Sequence, residues 1–200
     1  MTKRKILGAL VASGALAVAG CGDDESSSSG ESAGGNGTDR AFVAAMIPHH
    51  ESAVEMAKIA QQRGESAFVK ELADDIVSTQ TEEISTLRRE DEALDIAGVK
   101  KGSLGVPEHA MGMDDDPAEL KSAKPFDKAF LEMMIPHHVG AIEMAKAEQA
   151  KGKDPELKAL AGEIITAQER EINEMREHLG LEAEGSNGPG EDEHGSEHSG

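Results

Sequence analysis

The chain is poor in the side chains that build many common binding sites. Its 200 residues include one Cys, no Trp, no Tyr and four Phe. A single Cys excludes an internal disulfide framework and any zinc or iron–sulfur site that needs several cysteines. Aromatic residues make up 2% of the chain. Base-stacking platforms and aromatic cages for cationic ligands are therefore excluded as well.

Basic residues are scarce relative to acidic ones. The chain has 20 Lys and Arg against 39 Asp and Glu, which gives a formal net charge of -19. This charge repels phosphate backbones, so we do not expect nucleic acid as a partner. The length allows one domain or two small ones. Against these deficits stand nine Met and eight His, whose positions are ordered.

The N-terminal residues have the pattern of a lipoprotein signal peptide. Three basic residues at 3–5 precede an uncharged run, 6–19, which is short for a membrane span. The run ends in Val18-Ala19-Gly20-Cys21, which resembles a bacterial lipobox. We expect residues 1–20 to be removed and Cys21 to be lipidated, which would anchor the protein to the membrane outside the cytoplasm. An ordinary signal peptide with a chance Cys is the alternative.

Low-complexity segments flank the central part of the chain. Residues 21–38 are rich in Gly, Ser and acidic side chains, which predicts a flexible linker. Residues 182–200 are again Gly-rich and acidic and include His194 and His198. We expect a disordered tail there, with weak metal capture as the alternative.

An internal repeat lies between these segments. Residues 39–88 align without a gap with residues 127–176, at a constant offset of 88, and 23 of the 50 positions are identical. The strongest block is DRAFVAAMIPHHESAVEMAK against DKAFLEMMIPHHVGAIEMAK. A gapless repeat of this length indicates two copies of one supersecondary unit.

Each repeat is predicted to form two helices. Asp39 and Asp127 are acceptable N-caps, and Gly64 and Gly152 break the two copies at the same place. The second helices are expected at about 66–90 and 154–179, before the stop signal Gly180. The predicted fold is an all-α, ferritin-like four-helix bundle over 39–181. It consists of repeat one at 39–90, a crossover loop at 91–126 and repeat two at 127–181.

Soft metal donors fall on the inner faces of the first helices. At 100° per residue, both His of each repeat lie beside the apolar arc, framed by Met and small Ala. Pro48 and Pro136 are expected to kink these helices locally. The candidate ligands are Met46, His49, His50, Met56, Met134, His137, His138 and Met144.

The second helices add polar side chains to the same interior. Gln80, Glu83, Gln168 and Glu171 fall inside the apolar arcs. A carboxylate on an apolar face is costly unless it is paired or ligating. Two hypotheses remain open. Imidazole with thioether suits Cu(I) and, by the same softness, Ag(I), whereas a satisfied His/Glu/Gln network needs no metal.

The crossover holds a second candidate site. His109, Met111 and Met113 lie in a Gly-rich stretch followed at once by three Asp residues. Exposed Met in such a loop has little packing reason, and the acidic run attracts cations. The stretch is either a copper-capturing element or a plain loop.

The blocks FxxxMIPHHxxAxxMA and QxxEI, present in both repeats, resemble a widespread MIPHH-type family of exported bacterial proteins of unknown function. The resemblance covers about 39–180. It implies a ferritin-like fold, an extracytoplasmic location and, for some members, a link to copper resistance. The suggested functional residues of the family correspond to the eight Met and His candidates above. Members often carry a Trp near the end of the second helix, where this chain has His178.

An enzyme is not expected. Di-iron oxidases on this fold need four carboxylates and inward E-x-x-H pairs, whereas this chain has about two inward carboxylates and no such pair. A Cys nucleophile, GxSxG, a P-loop and HExxH are also missing. The sequence thus favours a lipid-anchored, extracytoplasmic protein that buffers or carries copper or silver. A structural or protein-interaction module of the cell envelope is the alternative.

Overall fold

The computed structural model describes residues 34–114 and 116–181. The expected signal peptide, the lipidated Cys21 and the tail with His194 and His198 lie outside these residues. The described residues form four α-helices and no strand: α1 (Gly37–Arg63), α2 (Ala67–Ile96), α3 (Phe126–Lys151) and α4 (Pro155–His178). Two 3-10 helices, Glu108–Ala110 and Pro117–Lys121, lie in the crossover. The predicted all-α bundle of two helical hairpins with a long crossover is confirmed.

The two hairpins meet through their first helices. α1 packs mainly on α2 and α3 on α4, while α1 and α3 make the main contact between hairpins. One apolar cluster includes Phe42 and Met46 near the start of α1, and a second includes Met56 near its end. Along α3 the order is reversed, because Phe130 belongs to the second cluster and Met144 to the first. α1 and α3 therefore run antiparallel, with the paired His between the two clusters.

The helix starts differ from the predicted ones. The N-cap of α1 is Asn36, whose side chain accepts from the Thr38 and Asp39 amides, and Asp39 closes a capping box from the third helical position. The residue before α3 is Pro125, so Asp127 lies inside the first turn. The prediction that Asp39 and Asp127 are N-caps of their own helices is wrong. Asn36 is the stronger cap signal because its side chain reaches two orphan amides.

The two Asp side chains instead cap the opposite hairpin. Asp127 accepts hydrogen bonds from the Glu65 and Ser66 amides at 2.8 Å each, in the turn between α1 and α2. Asp39 accepts from the Lys153 amide at 3.0 Å and the Asp154 amide at 2.8 Å, in the turn between α3 and α4. Each repeat therefore ties down the turn of the other one.

The crossover is shorter than the sequence indicated. α2 continues to Ile96 rather than ending near 90, because the first glycine is Gly98, which adopts φ +70°. Further along, Arg63 at the end of α1 donates to the Leu120 and Ala123 carbonyls and lies 4.8 Å from the centre of the Phe126 ring. These contacts fix the second half of the crossover against the bundle. None of the helices at 34–114 and 116–181 is long and apolar enough to cross a membrane.

Candidate functional site

Four imidazoles meet at the centre of the bundle. His49 and His50 on α1, and His138 on α3, are completely buried, and His137 is 3% exposed. The rings of His49 and His137 face each other across the two repeats, with centroids 3.8 Å apart. We call these four side chains the imidazole layer. Because identical motifs form it from two antiparallel helices, its two halves are related by the repeat.

The Nε2 atoms of two of these rings make hydrogen bonds, and that of a third lies close to a carboxylate without hydrogen-bond geometry. His50 Nε2 lies 2.9 Å from Glu83 Oε2, and His138 Nε2 lies 2.7 Å from Glu171 Oε2. His49 Nε2 lies 3.0 Å from the Met111 carbonyl oxygen. Carbonyl and carboxylate oxygens only accept, so the Nε2 atoms of His49 and His138 carry a hydrogen. Contacts of this kind fix the orientation and the tautomer of a histidine.

The remaining ring nitrogens lack such partners. The Nδ1 atoms of all four His, and also Nε2 of His50 and His137, are buried without a hydrogen-bond partner among the described residues. The Oε1 atoms of Gln80 and Gln168 are in the same situation. A buried polar atom without a partner is costly and calls for an explanation. An unprotonated Nδ1 can coordinate a metal ion.

Burial keeps the central pair of imidazoles uncharged. It lowers the pKa of His49 to about 3, and the neighbouring His50 and His138 lower it further by charge repulsion. Burial likewise holds the pKa of His137 far below its ordinary value, with a further contribution from the charge of His49. Neutral imidazole is the form that ligates metals, so these rings do not need to lose a proton first.

The four Met candidates flank the imidazole layer on two sides. Met46 and Met144 are buried in one apolar cluster, and Met56 and Met134 are buried in the other. Each cluster thus receives one Met from each repeat. Packing alone accounts for their burial, and the thioethers add soft donor atoms next to the imidazoles.

The imidazoles and the carboxylates beside them are not arranged as a metal site. Within 34–114 and 116–181, no group of three or more His, Cys, Asp or Glu side chains is arranged to hold a metal ion. Each of Glu83 and Glu171 is engaged with its own His. The four imidazoles do not form a metal site in this arrangement, and the soft donors in this part of the bundle are their nitrogens and the thioethers of the two clusters, a combination that suits soft, low-coordinate ions.

The three candidate residues of the crossover differ in their exposure. His109 is exposed, and Met113 is 43% exposed. Met111 is half-buried and packs against the cluster around Met46, while its carbonyl contacts His49. The expectation that the loop methionines lack a packing role is therefore wrong for Met111. It connects the crossover to the imidazole layer.

Two buried carboxyl groups were missed. Asp39 and Glu148 are both completely buried, at the end of the bundle where α1 begins. The count of about two inward carboxylates was therefore too low. Glu148 occupies the position equivalent to Ala60, which the helical wheel had placed on the apolar arc. That equivalence was the signal that would have identified it.

The two carboxyl groups share one end of the bundle and differ in charge state. Burial raises the pKa of Glu148 to about 8, and the nearby Asp39 raises it further. Burial opposes ionisation of Asp39 too. However, the neighbouring Glu148 side chain and hydrogen bonds from the Asn36, Asp154 and Lys153 amides outweigh it and lower the pKa of Asp39. The proton of the pair therefore resides on Glu148.

Comparison with known proteins identifies related sequences and structures. The family model described as a domain of unknown function (DUF305) matches residues 14–90 and 97–179. The structure is similar to CopM in its Cu(I)-bound form, with a TM-score of 0.60 and 30% identity over 71% of this chain and 95% of that one. CopM structures in Cu(II)-bound and Ag-bound forms are similar too.

Two further solved structures match over most of their length. A putative secreted DUF305 protein from Streptomyces coelicolor has a TM-score of 0.62 and 30% identity over 72% of this chain and 92% of that one. A DUF305 fragment from Deinococcus radiodurans has a TM-score of 0.60 and 31% identity, covering 74% and 98%. An uncharacterised protein, L153, of Acanthamoeba polyphaga mimivirus is 51% identical over 53 residues, or 26% of this chain. The match spans about a third of that relative's length, 35%.

Proposed function

The chain belongs to the DUF305 family, and on that premise we propose that it binds Cu(I) or Ag(I) in its imidazole layer, as an extracytoplasmic metal buffer or carrier. The observation that carries this proposal is the set of four buried Nδ1 atoms without protein partners. They lie between two clusters that each contain two of the four candidate methionines. We propose no catalytic activity.

The donor set fits a soft ion that the protein stores rather than uses. The proposed ligands are the Nδ1 atoms of the imidazole layer, with Met46, Met56, Met134 and Met144 as thioether donors. Glu83, Glu171 and the Met111 carbonyl hold the opposite ring nitrogens. Outer partners of this kind orient metal-binding His and raise their basicity. Thioether and imidazole ligands favour Cu(I) over harder ions.

The similar proteins support both the metal and the location. CopM has been solved with Cu(I), Cu(II) and silver, and its similarity extends over the whole bundle. The relative from Streptomyces coelicolor is described as a putative secreted protein. The secreted relative supports an extracytoplasmic location, and the signal-peptide pattern that ends at Cys21 supports the proposed anchor.

A second candidate function is a structural or interaction module without a metal. The contacts of His50 with Glu83 and of His138 with Glu171 favour it, because they satisfy part of the polar interior without any ligand. This alternative leaves the Nδ1 atoms and the Oε1 atoms of Gln80 and Gln168 unexplained. The two functions therefore predict different behaviour toward soft ions.

Anaerobic calorimetry with Cu(I) and Ag(I) tests the proposed function. We expect the wild type to bind, and a variant with His49, His50, His137 and His138 all changed to Ala to lose that binding. A milder variant, His50→Gln with His138→Gln, guards against unfolding, and circular dichroism verifies its helicity. His178→Gln is the matched control, because this exposed His stacks on Phe68 outside the layer. Equally weak binding by the wild type and by the variants of the layer would favour the structural module.

The proposed anchor is tested separately. Radiolabelled fatty acid supplied to expressing cells should label the wild type and leave Cys21→Ser unlabelled. Cell fractionation should then find the wild type with membranes and the variant released. Labelling of both proteins, or of neither, would contradict lipidation at Cys21 without affecting the metal proposal.

A further inference from the structure

We infer that metal ions reach the imidazole layer by displacing Met111 and Gly112 of the crossover from the surface of α3. We call these two residues the cover. The inference rests on the proposed function, because it concerns access to the same site. It adds that the crossover controls how fast the site loads and unloads.

Burial makes such a displacement necessary. The exposed fraction of the four imidazoles is at most 3%, so no hydrated ion touches them in the closed bundle. Above and below the layer lie the two apolar clusters, and their large side chains, such as Phe42 and Phe130, are completely buried. An ion that passed through either cluster would have to displace close-packed apolar side chains. The flank covered by the crossover requires a smaller rearrangement.

The cover touches α3 directly at the imidazole layer. A Cβ atom added to Gly140 would lie 2.0 Å from the Met111 carbonyl oxygen and 2.6 Å from the Gly112 amide nitrogen. A Cβ atom added to Gly112 would lie 2.5 Å from the Pro136 carbonyl oxygen and 2.9 Å from the Cα of His137. Backbone is thus packed on backbone, at the turn of α3 that carries the paired His. Gly140 and Gly112 are required for this close approach.

The repeats differ at this point. Ser52 occupies the position of repeat one that Gly140 occupies in repeat two, although the preceding MIPHH residues are identical. A serine at 140 would not fit beneath the cover in its present position. The cover therefore packs on the hairpin that has Gly140, and the other hairpin has Ser52 at the equivalent position.

The cover is held by contacts that are weaker than those of a helix. The Met111 amide bonds locally to the Glu108 carbonyl in a one-turn 3-10 helix, and its own carbonyl receives His49 Nε2. Loops of this kind open at a lower free energy than the helices that they cover. Opening would free His49 Nε2 and bring the layer into reach of His109 and Met113, the exposed soft donors beside the cover.

The decisive variant is Gly140→Ala, compared with Gly162→Ala. Both place Ala for Gly in a helix of repeat two, but the Cβ at 162 meets only the flexible amide of Gln149, at 2.9 Å. In metal-free protein, NMR measures exchange of the His49 Nε2 hydrogen with water. We expect at least about tenfold faster exchange in Gly140→Ala, equivalent to about 1.4 kcal/mol of opening free energy, and no change in Gly162→Ala.

Stopped-flow mixing with Ag(I) then measures loading of the same proteins. Association should accelerate in Gly140→Ala by a similar factor and stay unchanged in Gly162→Ala. Unchanged His49 exchange in Gly140→Ala would overturn the assignment of the cover. Faster exchange with an unchanged association rate would overturn the access route. A wild type that binds no Ag(I) would defeat the proposed function instead, and the metal-free measurement separates the two failures.

A measurement on the wild type covers the case in which Gly140→Ala does not fold. In hydrogen exchange at low denaturant, the His49 Nε2 hydrogen should exchange through an opening that costs less free energy than global unfolding. Amides in the middle of α1 should exchange only through global unfolding. If His49 required global unfolding as well, the cover would not open by itself and the inference would be wrong.

Discussion

The two repeats contribute matching residues to the centre of the bundle, whereas the two ends of the bundle differ from each other. At the centre, both copies contribute the same paired His, and the same Glu from the second helix contacts the second His of each pair. At the ends, each copy also contributes an Asp to the turn of the other hairpin, but the surroundings differ. Asp39 lies with the buried Glu148, whereas the equivalent end has Ala60 in place of that glutamate.

The difference shows which parts of the duplicated unit tolerate change. A layer on the axis between two antiparallel helices needs matching residues from both copies, because the first rings of the two pairs, His49 and His137, pack against each other. An end involves one Asp and one turn, so either copy can acquire new neighbours independently. Symmetry at the centre is what a shared binding site requires, and the asymmetric end concerns stability.

The largest expected effect is the loss of the buried cap at one end. Asp39→Ala removes a completely buried carboxylate that accepts from the Lys153 and Asp154 amides in a partly buried turn, so we expect a cost of about 3 kcal/mol in the free energy of unfolding. Asp127→Ala is the matched change at the other end, where the Asp is half-buried, and we expect about 1 kcal/mol. Urea unfolding of both variants measures the difference. Equal costs would remove the distinction between the ends.

The next largest expected effect is a loss of metal affinity at the imidazole layer. Glu83→Gln with Glu171→Gln keeps the size of both side chains but removes the charge beside His50 and His138. We expect Cu(I) and Ag(I) affinity to fall by about 10- to 100-fold, as for other partners that orient metal ligands. Calorimetry measures this change, and the exposed pair Glu51→Gln with Glu143→Gln serves as the control. An unchanged affinity would assign the two Glu side chains to packing alone.

The sequence predicted the fold and the composition of the centre better than the ends. A gapless repeat and a period of 3.6 residues specify four helices and place His49, His137, Glu83 and Glu171 on inner faces. Which residues meet across the bundle depends on the antiparallel arrangement of α1 and α3, which local periodicity does not contain. Asp39 was therefore assigned to its own helix, although its partners Lys153 and Asp154 lie more than a hundred residues away.

The crossover was the least predictable part of the site for the same reason. Its composition indicated a loop, but the contact of the Met111 carbonyl with His49 is made by backbone across 62 residues. Gly140 is the one sequence signal of this contact, and its meaning becomes clear only once the structure is known. It differs from Ser52 two positions after the MIPHH residues that are identical in the two repeats.

The centre and the asymmetric end should also respond oppositely to pH. The folded pKa of His49 is about 3, below its unfolded value of 6.5. Its contribution to stability is complete above pH 6.5 and is lost as the pH falls toward 3. The folded pKa of Glu148 is about 8, above its unfolded value of 4.5. Its contribution is complete below pH 4.5 and is lost as the pH rises through 8.

The variant Glu148→Gln tests the pH dependence of stability that we attribute to Glu148. Relative to this variant, the wild type should lose stability between pH 4.5 and pH 8, because only the wild type must keep a proton on residue 148. Urea midpoints at pH 4.5, 6 and 8 measure the trend. The exposed Glu132→Gln on the same helix should show no such difference. A wild type that gained stability over this range, relative to Glu148→Gln, would contradict a protonated Glu148.

The smallest effect is expected at the exposed edge of the cover. Met113 is 43% exposed, so Met113→Ala should change the free energy of unfolding by less than about 0.5 kcal/mol. Met111→Ala removes a side chain that packs against the cluster around Met46 and should cost more.

If Met113 captures ions for the imidazole layer, its loss should slow Ag(I) association while the equilibrium affinity falls by less than about tenfold, or about 1.4 kcal/mol. Stopped-flow and calorimetric measurements on the same sample separate these two quantities. A slower association at unchanged affinity would extend the asymmetry of the repeats from stability to access, because only the hairpin with Gly140 accepts the cover.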